Sequence, residues 1–246
     1  MAKFKGLLFD LGNTLLHFNG TWPEVFSQAD QELYAALAAG GYTLDQESFK
    51  TEFRARLNQY YLQREAEFIE HTTAYVLRNL MDELGFGEIP DKIIRPALKK
   101  MYAVSQEHWL LEDDCLPTFQ TLKQQGYRLG VISNASDDND VQTLVDDSGI
   151  RPYIDFALTS AACGIRKPNP RIFMLGIESW GYSTDEVAMI GDTLGADILG
   201  GRNAGIFSIW ITRRADTPGN RDHAATIIPD AQIETLAGLI PLLENK

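Results

Sequence analysis

The chain reads as an α/β protein: a parallel sheet with crossover helices, interrupted once by an inserted bundle of helices. Three observations predict this. Gly6-Leu7-Leu8-Phe9 is a short, wholly apolar run that ends on Asp10 before the turn-forming Gly12-Asn13-Thr14, the pattern of a strand buried on both faces. From Trp22 to about His108 the patterning turns helical, with no strand signal inside it. After Cys115 strand and helix patterns alternate, as a parallel sheet requires. The expected division is a sheet-bearing core from residues 1–16 and 110–246 and a helical insert over 17–109.

Within the insert, four segments show 3.6-residue patterning: 22–39, 44–63, 71–84 and 91–108. Gly40-Gly41 stops the first, Gly85 and Gly87 close the third, and Pro90 precedes the fourth. Short loops between four helices predict a compact bundle. Phe26, Leu33, Leu37, Phe49, Phe53, Tyr60, Phe68, Leu77 and Leu80 are its expected core. In the second half, 116–124 reads as a helix closed by Gly126, 128–133 as a buried strand ending in Ser133-Asn134, 141–147 as a helix and 156–158 as a strand. A helix over 170–180 starts at Pro170, and the strand 187–190 runs into Gly191-Asp192. A helix over 195–203, a strand over 207–211, a short strand over 226–228 and a closing helix over 233–243 complete the pattern.

The formal net charge of -12 argues against a sequence-independent nucleic-acid binder, which needs a basic face. It leaves anionic small molecules open, because one Lys or a bound cation sets the local field. Cys115 and Cys163 lie in no ligand or redox pattern, so two reduced thiols in a cytoplasmic protein are expected. The apolar part of the amino-terminal stretch is too short for a signal peptide, and no window reaches the apolar length of a membrane helix. Neither a repeat nor a low-complexity tract stands out.

Four polar clusters fall at or just beyond predicted strand ends: Asp10, Ser133-Asn134, Lys167, and Gly191-Asp192 with Asp197. Carboxyl ends of parallel strands share one edge, so residues distant in sequence converge there. Two or three carboxylates can hold a hard divalent cation such as Mg2+. A Lys, a Ser hydroxyl and turn amides can hold phosphoryl oxygens, and a carboxylate facing the phosphorus can attack it.

The ordered set DLGNT, VISN, the Lys of GIRKPNP, and GDTLGAD resembles the four motifs of the haloacid dehalogenase-like (HAD) superfamily. The resemblance spans Asp10 to about Gly205, and the helical insert resembles the family's C1-type cap. It implies a Rossmann-like sheet, Mg2+, and usually hydrolysis of a small phosphorylated metabolite through an aspartyl-phosphate. Carried over by position, Asp10 matches the nucleophile, Lys167 the charge-neutralising Lys, Ser133 the phosphate-binding hydroxyl with Asn134 beside it, and Thr14 the motif's hydroxyl position. For the metal, Asp10, the Gly12 carbonyl, Asp192 and Asp197 match the ligand positions, Asp197 acting directly, through water, or by orienting Lys167.

One departure stands out. Most phosphatases of this family carry a second Asp two residues after the nucleophile as general acid and base; this chain has Gly12. The missing proton donor is typically worth 10²–10⁴-fold in rate. His17 is the nearest imidazole, although a plain surface histidine is the simpler reading. Three functions therefore compete: a Mg2+-dependent phosphatase, a metal-independent haloacid dehalogenase-type hydrolase, and a weakened phosphate- or partner-binding member. Phosphonate cleavage, with Lys50 as its cap lysine, ranks last. Trp22, Tyr60, Tyr61, Arg64 and His71 are the candidate specificity residues of the insert. The substrate identity and oligomeric state are not encoded in any motif.

Overall fold

A computed structural model describes residues 4–245, the side chains of 65–67 apart. In chain order its elements are β1 (Gly6–Phe9), β2 (Leu16–Phe18), α1 (Trp22–Ala39), α2 (Gln46–Glu67), α3 (Thr73–Glu83), α4 (Asp91–Gln106), β3 (Trp109–Leu111) and α5 (Cys115–Gln124). There follow β4 (Arg128–Ser133), α6 (Asp138–Asp147), β5 (Phe156–Thr159), α7 (Ser160–Cys163), α8 (Pro170–Ile177) and β6 (Val187–Gly191). The last are α9 (Leu199–Asn203), β7 (Phe207–Ile211), α10 (Pro218–His223), β8 (Ala231–Ile233) and α11 (Leu239–Glu244).

Six strands form one parallel sheet in the order β5-β4-β1-β6-β7-β8. The apolar run Gly6–Phe9 is central because every one of its residues is buried. Strand alternation divides its side chains between two layers. Leu7 and Phe9 join Phe119 of α5, Val145 of α6 and Leu239 of α11 in one core, while Leu8 joins Ile172 and Phe173 of α8 and Met189 of β6 in the other. The order reverses beside β1, so the switch point of the sheet lies where Asp10 emerges.

The helices α1 to α4 enclose a separate core that includes Leu33, Leu37, Phe53, Leu77, Leu80 and Leu98. The Asp45 and Thr72 side chains cap α2 and α3, accepting from Ser48 N and Tyr75 N. A two-stranded antiparallel ribbon carries the chain into and out of this bundle, pairing Leu16 with Leu111 and Phe18 with Trp109. Neither short strand is anticipated by the sequence pattern. Three residues give too little alternation to read, and the partners lie on opposite sides of the insert.

Other differences have local causes. Residues 226–228 form no strand; Pro229 breaks the run, and Asp230 accepts from Ser208 N and Oγ at 2.8 Å each, so β8 pairs with β7 only from Ala231. Because Ile233 is taken by that strand, the closing helix over 233–243 shrinks to α11 behind a 3₁₀ turn at Leu236–Gly238. The helix over 195–203 opens instead as a π-helical turn, Leu194–Ile198. Phe68, expected in the bundle core, is the left-handed C-cap of α2 with φ 54°, which throws its ring off the helix face; it is 41% exposed. Phe26 is half-buried on a cavity wall. Both cysteines are free, and among the described residues no helix is long and apolar enough to cross a membrane.

Candidate active site

Asp10 is delivered by sheet pairing that outlasts β1, since Asp10 N donates to Ile190 O at 2.9 Å. The chain then turns sharply, with Asn13 at φ 58°, and returns as β2. Ser133 ends β4, Lys167 stands on the loop before α8, and Asp192 follows β6. Asp197 folds back from the π-helical turn to the end of β6. A Cβ on Gly191 would sit 2.3 Å from the Asp197 carboxyl carbon, so only glycine admits this approach.

Lys167 organises the centre. Its ammonium lies 2.6 Å from Asp10 Oδ1 and 2.7 Å from Asp197 Oδ1, and donates to Ile132 O at 2.7 Å. Burial works against this ammonium, but Asp10 and Asp197 outweigh it and hold its pKa above the ordinary value. Burial pushes the Asp10 carboxyl up to about 6 against the pull of Lys167. Asp192 is raised well above the usual range by burial and by the charges of Asp10 and Asp197. Three buried carboxylates thus face a single ammonium, with one oxygen of each within 4.8 Å of the others. That surplus of negative charge on oxygen donors suits a hard divalent cation. Asp197 is committed elsewhere, its Oδ2 accepting from Thr193 N at 3.0 Å, which leaves Asp10 and Asp192 as the better direct ligands.

Around this centre the predicted residues take distinct places. Ser133 and Asn134 line a cavity of about 790 Å³ together with Asp10, Gly12, Lys167 and Asp192. The Asn134 amide is spent on positioning: Oδ1 accepts from Lys167 N at 2.8 Å and Nδ2 donates to Lys167 O at 3.0 Å. Thr14 is buried off the cavity wall, its hydroxyl 3.5 Å from Asp192 Oδ1, so it braces a carboxylate instead of facing substrate. Trp22, Tyr61 and Arg64 line the helical side of the cavity, whereas Tyr60, His71, Lys50 and His17 do not. The His17 imidazole turns to Glu112 at 3.2 Å, and Lys50 pairs with Glu47 at 3.0 Å.

Several contributors carried no sequence signal. Trp210 Nε1 and Asn220 Nδ2 each donate to Asp192 O at 2.8 Å and hold that backbone in place. Trp109, on the ribbon, puts the tip of its indole 3.3 Å from where a Cβ on Gly12 would lie. Arg54 lines the cavity with its guanidinium clamped on Asp30 at 3.0 and 2.5 Å.

Residues 4–205 match the family model for haloacid dehalogenase-like hydrolase, more than three quarters of the chain. The chain belongs to that family. A glyceraldehyde 3-phosphate phosphatase of Methanothermobacter thermautotrophicus is 38% identical over 106 residues, 43% of this chain and 46% of the relative. The chain spans about half the length, 43 to 49%, of this relative, of a phosphoserine phosphatase of Thermus thermophilus and of a pyrimidine 5'-nucleotidase of Escherichia coli. A ribulose-1,5-bisphosphate 5-phosphatase of Halopiger xanaduensis is 28% identical over 96% of this chain and 98% of its own. Among solved structures, a 2-haloacid dehalogenase of Pseudomonas syringae superposes with TM-score 0.67 at 24% identity, covering 98% of this chain and 99% of that one, a likeness of fold. In this haloacid dehalogenase-like chain the four motif positions meet at the sheet's switch point, around Lys167.

Proposed function

We propose that the chain is a Mg2+-dependent phosphohydrolase acting on a small phosphorylated metabolite, with residues 17–109 as a cap over a core of 1–16 and 110–246. The observation that carries this is the trio of buried carboxylates around one ammonium, an excess charge that a metal-free dehalogenase site has no use for. The full-length likeness to a named phosphatase supports it as well.

In this reading Asp10 attacks phosphorus through its carboxylate; the new O–P bond forms as the bond to the leaving oxygen breaks. The Lys167 ammonium neutralises Asp10 and the phosphoryl oxygens, and the Ser133 hydroxyl with the amides of the following turn fixes their orientation. Water then attacks the aspartyl-phosphate, releasing inorganic phosphate and restoring Asp10. Mg2+, held by Asp10, Asp192 and the Gly12 carbonyl with Asp197 behind them, would supply charge stabilisation at the phosphoryl oxygens. No carboxylic acid faces the leaving oxygen from position 12, so leaving groups that need little protonation are favoured.

The test is p-nitrophenyl phosphate turnover with Mg2+ and with EDTA, beside halide release from a 2-haloacid. Phosphate release that vanishes in EDTA, with at least about a tenfold loss of Mg2+ affinity in Asp192→Asn measured by calorimetry, is the expected result. Halide release that persists in EDTA would establish the dehalogenase reading instead.

A further inference from the structure

One contact between the helical insert and the sheet-bearing core, separate from the ribbon, is made by the loop joining α2 to α3. That loop runs against the segment leading to Lys167. Ile69 and Ile165 form an antiparallel bridge, Glu70 N donates to Gly164 O at 3.2 Å, and Arg166 N donates to Phe68 O at 3.2 Å. The Glu70 carboxylate is wholly buried there, with 0% side-chain exposure. Its Oε2 accepts from Arg166 and, at 2.7 Å, from Ser160 Oγ; its Oε1 accepts from Tyr60 OH at 2.5 Å. Ser160 Oγ in turn accepts from Ala135 N at 2.9 Å. One carboxylate of the insert therefore stands at the junction of the two core loops that carry Ser133 and Lys167, which the Asn134 amide ties together.

A carboxylate buried this completely is tolerated only while its donors stay in place. Its donors come from both sides of the seam: Tyr60 from the insert, Ser160 and Arg166 from the core. We propose that Glu70 is a positioning residue for Lys167, a buried anchor through which the insert fixes the loop of the charge-neutralising lysine. Glu70 is then the buried member of the contacts that tie the insert to the core, beside the ribbon, the bond that Thr73 N donates to Ser136 O at 2.9 Å and the one that Gln106 donates to Asp140 at 2.8 Å. Lys167 acts on charge that develops as phosphorus is attacked, so slack in its loop lowers turnover more than substrate binding.

The experiment compares wild type with Glu70→Gln, which keeps the shape and removes the charge. Steady-state kinetics with p-nitrophenyl phosphate and Mg2+ are measured beside amide hydrogen exchange over residues 160–168. Turnover presupposes the phosphatase chemistry; exchange does not, and separates a failure of that chemistry from a failure of the anchor. Expected are a fall in kcat of about 10- to 100-fold with KM within about threefold, and exchange at the Arg166 and Lys167 amides faster by about tenfold or more, with β1 and β4 unchanged. Protected Arg166 and Lys167 amides would overturn the assignment, as would exchange rising uniformly through the sheet, the mark of general destabilisation. If Glu70→Gln does not fold, Tyr60→Phe removes a single donor; the same local pattern at smaller amplitude is expected, and its absence would equally overturn the assignment.

Discussion

Restoring an acid at position 12 tests whether the missing carboxyl group is the whole of this chain's departure from the family pattern. The backbone offers no obstacle, because Gly12 lies outside the left-handed region. The obstacle is Trp109. An ideal Cβ at position 12 sits 3.3 Å from the indole Cη2, closer than such contacts usually come, and in ordinary contact with Cζ3 at 3.6 Å, and the carboxyl group extends beyond it. The ring cannot drift freely: Phe18 meets it edge-on at 5.3 Å and Trp22 at 6.2 Å. A well-placed general acid is worth 10²–10⁴-fold, about 3–5 kcal/mol, and displacing a packed ring costs about 1–3 kcal/mol. Gly12→Asp alone should therefore leave the ratio of alkyl to aryl phosphate kcat/KM within about threefold of wild type, because the acid is not aligned on the leaving oxygen. Gly12→Asp with Trp109→Leu should raise that ratio by about 10²-fold, while Trp109→Leu alone does not. The assay is a four-member cycle with glycerol phosphate and p-nitrophenyl phosphate, each variant checked by thermal melting and Mg2+ binding. A tenfold rise in the single Gly12→Asp variant would refute the steric argument. An unchanged ratio in a folded, Mg2+-binding double variant would show that another group already supplies the proton.

Asp10→Asn should abolish turnover by at least about 10³-fold, since a near-isosteric amide is not nucleophilic. Retention of the wild-type melting curve is its check, and substantial residual turnover without deamidation would remove Asp10 from the nucleophile's role. Asp140, in the first turn of α6 and on the cavity wall, offers a test of stability. Burial pushes its carboxyl up to about 7 against the hydrogen bond from Gln106, with the nearby Asp137 charge adding to the rise. The folded state therefore holds a proton that the unfolded chain releases near pH 4, and stability falls as pH rises from about 4 to 7. Three pH units would amount to about 4 kcal/mol; partial exposure and the favourable helix N-terminus reduce this to about 1–2 kcal/mol. Asp140→Asn should stabilise the protein at pH 8 by that amount and much less at pH 5, read by urea denaturation. An equal change at both pH values would refute the assignment.

Asp10, Ser133, Lys167 and Asp192 were legible in the sequence because a parallel sheet makes their convergence automatic. Asp10, Ser133 and Asp192 lie at or just past the carboxyl end of an apolar strand, with Lys167 on the loop that follows β5 and α7, and strand direction alone puts those ends on one edge. The insert's core was legible for the same kind of reason, helical periodicity within single elements. Phe68 shows the limit of that reasoning. Periodicity assigned it to the core, but the residue ends α2 in a left-handed cap, where the helical face no longer applies.

What escaped the sequence lies where the two independently patterned units meet. Glu70 in FIEHTT looks like any solvated loop carboxylate, and its partner Arg166 is 96 positions away. Trp109 reads as one more aromatic at the end of a helical stretch, yet it fills the space that the absence of a side chain at Gly12 leaves. No periodicity links such pairs, because neither residue's own element dictates the contact. The cluster of charged groups at the switch point follows from the direction of the strands, whereas the wall of the cavity that faces it depends on the seam. Two relatives of this fold with the same four motifs can therefore differ in substrate through changes at cavity-lining positions such as 109 and 64 that leave every motif intact.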